Sequence, residues 1–140
     1  MTSLVEGALK MADMIASALK HSGYEADFTP RSLWELDRFF DEESRKGRPR
    51  KWGLLAKDTS LRLFSVGAYL GEVVRRELGG EWEADEGDED AMLNLRLRLP
   101  DGRTVRPVQQ AVRRLASGRA EALVPWAAEL GLDAGPKPKR

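Results

Sequence analysis

The segment Gly67-Ala68-Tyr69-Leu70-Gly71-Glu72-Val73-Val74-Arg75-Arg76-Glu77-Leu78-Gly79-Gly80-Glu81-Trp82 constrains this chain most. It reads as a helix with two interior glycines, stopped by a glycine pair and followed by a strand carrying Trp82. Each interior glycine costs a helix about 1 kcal/mol relative to alanine. Gly67 and Gly71 stand four residues apart and so share one helix face. The spacing predicts a bare strip of backbone where another helix, a sheet or a bound partner comes close.

The chain has 140 residues, 41% of them hydrophobic and 33% charged, which fits one compact domain. That domain is expected over 1–134, followed by a disordered basic tail over 135–140 that has no apolar residue to hold it down. The 23 basic and 23 acidic side chains cancel, so no global field attracts nucleic acid or an anionic membrane, and electrostatic recognition must come from local patches. There is no cysteine, which excludes disulfides, thiolate metal sites and a cysteine nucleophile and suits a reducing compartment; a cytoplasmic location is expected. Glu6, Lys10 and Asp13 interrupt the stretch 1–19, which reads as neither a secretory signal nor a membrane span. Instead Leu4, Ala8, Met11, Ile15 and Leu19 form the stripe of an amphipathic helix that ends at His21-Ser22-Gly23.

A second helix is predicted from Phe28-Thr29-Pro30-Arg31-Ser32-Leu33, with Thr29 as N-cap, Pro30 at the first helical position and Phe28 stapling to Leu33. Leu33, Leu36 and Phe40 face the core, Trp34 and Phe39 the flanks. Arg45-Lys46-Gly47-Arg48-Pro49-Arg50-Lys51 then puts five cations within seven residues, read as a loop because glycine and proline interrupt regular structure, and Trp52 follows. Asp58, Thr59 or Ser60 caps the glycine-bearing helix, which is apolar on more than one side and therefore central. After the strand Glu81 to Ala84 and the acidic turn Asp85-Glu86-Gly87-Asp88-Glu89-Asp90, Leu93, Leu95, Leu97 and Leu99 alternate with Asn94, Arg96 and Arg98. A period of two with one apolar and one basic face is a strand lying over a core. Pro100-Asp101-Gly102 turns the chain into a short partner strand, Arg103 to Arg106. Pro107 opens a helix through Val108, Ala111, Val112 and Leu115 to Gly118, and a last helix around Leu123 to Leu130 contains Pro125. The pattern predicts an α+β fold: a small antiparallel meander of about three strands, covered on one face by four to five helices.

The search for chemistry yields no catalytic constellation and no cofactor motif. His21 is the only histidine, no serine stands in a Gly-x-Ser-x-Gly setting, and Gly67 and Gly71 lack the spacing of a phosphate loop or dinucleotide fingerprint. The acidic turn does not match the twelve-residue calcium loop and reads as solvated. Binding surfaces are the better candidates. Arg96, Arg98, Arg103 and Arg106 cluster on the hairpin, and an open sheet face can present such side chains to a partner. The aromatics expected of a reader of single strands are missing there. Arg48, Arg50, Lys51 and Trp52 form the second candidate surface.

The motif Gly67-Ala68-Tyr69-Leu70-Gly71-Glu72-Val73 with Gly79-Gly80-Glu81-Trp82, and Arg106-Pro107-Val108-Gln109-Gln110 before a helix ending at Gly118, resembles a group of small bacterial proteins of unknown function. The similarity covers roughly residues 28 to 130. It implies a bacterial domain and carries no catalytic residue. The leading expectation is a non-enzymatic interaction or regulatory domain that binds a protein, or a second copy of itself, through the sheet face or the groove beside the Gly67/Gly71 helix. A nucleic-acid-associated protein using Arg45 to Lys51 and the arginine hairpin is the alternative. A small-ligand binder or enzyme with a pocket near Tyr69, Glu72 and Trp82 is a third.

Overall fold

Ser3 caps helix α1 (Leu4–His21) in the computed structural model, which describes residues 3–139: its Oγ accepts the Glu6 amide at 3.1 Å. The first two positions of the expected N-terminal stretch and Arg140 of the expected tail lie outside the described residues. Helix α1 buries Ala8, Ala12, Ile15, Ala16 and Leu19, so small residues let it lie close along its neighbour.

The Thr29-Pro30 start is where the sequence places it, and the Thr29 hydroxyl accepts the Ser32 amide at 3.3 Å. The first turn, Pro30–Ser32, is a tighter 3₁₀ turn, and α2 follows as Leu33–Glu43. Phe39 is not at a flank as expected but buried, in edge-to-face contact with Tyr24 and Phe40. Past α2 the basic stretch is more regular than a loop. Ser44–Arg45 (β1) and Arg48–Pro49 (β2) pair antiparallel around Lys46-Gly47, both at positive φ, the two-residue primed turn whose twist suits a hairpin.

Helix α3 (Thr59–Leu78) is the centre of the molecule, with every residue from Leu63 to Val74 buried. Asp58 makes no capping bond: it sits in the left-handed region at φ 52°. The Thr59 hydroxyl bonds back to the Leu55 carbonyl. Beyond Gly79-Gly80, β3 (Glu81–Glu83), β4 (Arg96–Arg98) and β5 (Thr104–Val105) form an antiparallel meander with β4 in the middle. Leu95, Leu97, Leu99 and Val105 face the helices. Leu93 breaks the predicted alternation and is 40% exposed. The chain there is still in turns, held by an Asn94 Nδ2 to Asp88 Oδ2 bond of 2.8 Å, and the strand begins only at Arg96.

Helix α4 (Pro107–Ser117) starts at the predicted proline but is rotated from the predicted face: Gln110 and Arg114 are buried, whereas Val112 is exposed. A 3₁₀ turn over Gly118–Glu121 leads to α5 (Leu123–Leu130), with Pro125 tolerated in its first turn. The described residues form an α+β fold, with five α-helices and two small antiparallel sheets. Among the described residues no helix is long and apolar enough to cross a membrane.

The bare strip of α3 is filled from within. A Cβ on Gly67 would lie 2.5 Å from Val108 Cα, and one on Gly71 would lie 2.0 Å from the Trp82 ring. The two glycines let the start of α4 and the indole of β3 seat directly on the α3 backbone.

Candidate functional site

Residues 44–54 form a basic excursion between α2 and α3. Loop 50–54 is anchored at its root, where the Arg50 amide donates to the Glu43 carbonyl at 2.7 Å and Glu43 Oε1 accepts the Leu54 amide at 2.6 Å. Beyond that root the side chains face water. Trp52 is 91% exposed and holds φ 67°, a conformation that costs a bulky residue of order 1–3 kcal/mol unless its surroundings impose it. Among the described residues none of Arg45, Lys46, Arg48, Arg50 and Lys51 makes an ion pair with a carboxylate. The turn is seated by Gly47, where an added Cβ would stand 2.9 Å from the Ala116 carbonyl oxygen. The hairpin thus rests on the carboxyl end of α4, whose dipole favours cations, and exposed Arg113 stands one helical turn away from Ala116.

The arginines of the meander are differently placed. Register puts Arg98 opposite Glu81 and Arg96 opposite Glu83. Arg96 pairs with Glu83 at 3.2 Å, and Arg98 with Glu81 at 3.1 Å and Glu83 at 3.3 Å. Arg103 donates to Asp101 at 2.7 Å and to the Leu130 carbonyl at 3.0 Å, while Arg106 is exposed just ahead of α4. Cross-strand glutamates therefore cancel the positive stripe that the sequence suggests.

Tyr69, Glu72 and Trp82 hold structure together. The Tyr69 hydroxyl meets Ser32 Oγ at 2.6 Å and accepts the Phe28 amide at 3.0 Å; burial is the main reason its pKa is pushed up to about 12. Glu72 is buried. Its carboxylate accepts Arg75 Nε at 2.6 Å, Arg75 Nη2 at 2.9 Å and Trp82 Nε1 at 2.8 Å. Burial acts to raise the Glu72 pKa, but the Arg75 and Trp82 hydrogen bonds and the charges of Arg75 and Arg76 outweigh it and hold the carboxyl below its ordinary value. The stability from this site is then fully present above the unfolded-chain value of about 4.3. It is lost as pH falls through the lower folded value. The urea midpoint of the wild-type chain is therefore expected to drop more between pH 7 and acid than that of Glu72→Gln. Parallel profiles for the two proteins would remove Glu72 from the account of acid stability.

Sequence reading missed a polar cluster on the other side of α2. Arg114, 1% exposed, donates from Nε to Asp37 Oδ1 at 2.9 Å and from Nη2 to Asp41 Oδ1 at 2.8 Å and the Asp37 carbonyl at 3.1 Å. Asp37 also accepts the Leu123 amide at 2.8 Å and the Val124 amide at 3.0 Å, capping α5. Arg119 adds a 3.2 Å bond to Asp41, whose pKa is lowered because the two guanidiniums outweigh its burial. These groups line a cleft of about 540 Å³ together with Trp34, Arg38, Lys137 and Pro138. The signal was present as Asp37 and Asp41 four residues apart on α2, and as Arg114 on the stripe of α4 that also carries Gln110 and Ala111. Its meaning depends on α2, α4 and α5 meeting, which one helix does not reveal.

Among the described residues no group of three or more histidine, aspartate or glutamate side chains could hold a metal ion. No buried side-chain nitrogen or oxygen among them lacks a hydrogen-bond partner. Comparison with protein families, with curated proteins and with solved structures finds no match.

Proposed function

We propose that this protein is a nucleic-acid-associated binding domain that grips single strands through the hairpin 44–52. One observation carries the reading: a fully displayed Trp52 indole stands among five cations that no carboxylate of the described chain neutralises. Single-strand readers combine these two elements, cations along the phosphates and an aromatic face on which a base stacks. The surfaces expected to serve a protein partner offer less. The Gly67/Gly71 strip is filled by Val108 and Trp82, and the meander's Arg96 and Arg98 are paired with glutamates.

The test is fluorescence anisotropy of a fluorescein-labelled single-stranded oligonucleotide titrated at several salt concentrations. Each phosphate contact contributes a slope of about −0.7 to log K against log salt, so several hairpin cations in contact give a slope of about −2 or steeper. Trp52→Ala is expected to weaken binding about 5- to 150-fold, the equivalent of ~1–3 kcal/mol for one stacked base, with the unfolding midpoint unchanged. Absence of binding at low salt ends the nucleic-acid reading. Binding that Trp52→Ala leaves intact ends the stacking part of it.

A further inference from the structure

Residues 135–139, expected to run free, lie instead along α2. The Trp34 indole donates from Nε1 to the Gly135 carbonyl at 3.1 Å, and the Gly135 amide is folded back onto Asp133 Oδ1 at 2.8 Å. Lys137 and Pro138 then line the 540 Å³ cleft that holds Trp34, Glu35, Asp37 and Asp41. Pro138 also closes a small hollow of about 50 Å³ formed by Glu25, Asp27, Thr29, Arg31, Ser32 and Glu35. At that end of the path Glu35 is already paired with Arg38 at 3.2 Å, Glu25 and Asp27 line the hollow together with Arg31, and Lys139 follows Pro138 in the chain. The segment is suited to such a path. Pro136 and Pro138 fix their own φ and bias Lys137 between them toward extended backbone, so little conformational freedom remains to be lost on docking. Trp34 is the single aromatic among the described lining residues, and an aromatic side chain is what proline-rich segments commonly dock on.

We infer that the groove running along α2 past Trp34 is a recognition site for a proline-spaced basic peptide, and that residues 135–139 occupy it in cis. The free partner has the chemistry of that segment: prolines alternating with lysines, a carbonyl for the Trp34 indole, and a cation toward Glu25 and Asp27. The inference is independent of the hairpin reading, since it concerns other residues and the opposite charge.

The test uses the whole chain in two forms, wild type and a variant with Pro136→Ala, Lys137→Glu, Pro138→Ala and Lys139→Glu, which releases the segment. The probe is the synthetic peptide Ala-Gly-Pro-Lys-Pro-Lys, followed by the NMR signal of the Trp34 indole N–H, assigned by its loss in Trp34→Phe. The substitutions alone are expected to move that signal. Added peptide then shifts it saturably in the variant and at least about tenfold more weakly in the wild type, because a short tether competes at an effective concentration in the mM range. Equal binding by both forms overturns occupancy in cis, and no shift in either overturns the groove. Equal binding of Ala-Gly-Ala-Lys-Ala-Lys overturns recognition of proline.

Discussion

Gly71→Leu is expected to lower the unfolding free energy by about 3 kcal/mol or more, which for a chain of this size moves the thermal midpoint by on the order of 10 °C. Two effects oppose each other. Replacing glycine inside a helix returns about 1 kcal/mol of propensity. Against that, even the first added carbon would stand 2.0 Å and 2.4 Å from two atoms of the Trp82 ring and 3.1 Å from Pro107. The ring has little room to retreat, because its Nε1 is hydrogen-bonded to Glu72 and its backbone pairs with Leu97 across β3 and β4. Overpacking therefore wins. Denaturation followed by circular dichroism checks it, and a double-mutant cycle with Trp82→Leu should recover part of the loss, since the two positions touch. A Gly71→Leu protein with an unchanged midpoint would falsify the account of α3 as a seat for Trp82.

Arg114→Met is the second large effect, expected to cost about 3–5 kcal/mol, the range for stripping one partner from a buried charge pair. The guanidinium is almost sealed from water and reaches Asp37, Asp41 and a backbone carbonyl at once. Removing it leaves Asp37 facing only the α5 amides. It also leaves Asp41 with Arg119, whose side chain is 83% exposed and correspondingly weak. Arg114→Lys should rescue little, because one ammonium cannot reproduce a planar fork that reaches three acceptors on α2 at once. Urea denaturation of the three proteins decides the matter. A loss below about 1 kcal/mol for Arg114→Met would show that packing, with no help from this pair, joins α2 to α4 and α5.

Much of the fold was legible because its signals are local. The Thr29-Pro30 start, the α4 start at Pro107, the turn after Pro100 and the burial of Leu95, Leu97 and Leu99 each follow from a few adjacent residues. The glycine strip on α3 was legible as a close approach, though what approaches could not be read, since Val108 and Trp82 reach it only through the fold. Leu93 and Val112 went astray for a shared reason: periodicity gives the face of an element but not where the element begins or how it is rolled against its neighbours. The candidate site divides in the same way. The hairpin cations are visible as composition, whereas the cancellation of Arg96 and Arg98 by Glu83 and Glu81 is a matter of strand register. The Arg114 cluster requires three helices to converge before its charges mean anything.

Between Ser44 and Asp58 only Leu55 is buried. The excursion that carries Trp52 and its cations leaves α2 and returns to α3 while lending the core a single side chain. Apart from Leu55 and Gly47, substitutions in it are therefore expected to be nearly silent in the unfolding free energy, and those that hold the core together nearly silent at this exposed tip. Under selection the two sets of residues can change on separate schedules. A lineage could exchange the exposed tip for another without approaching the threshold at which the scaffold fails.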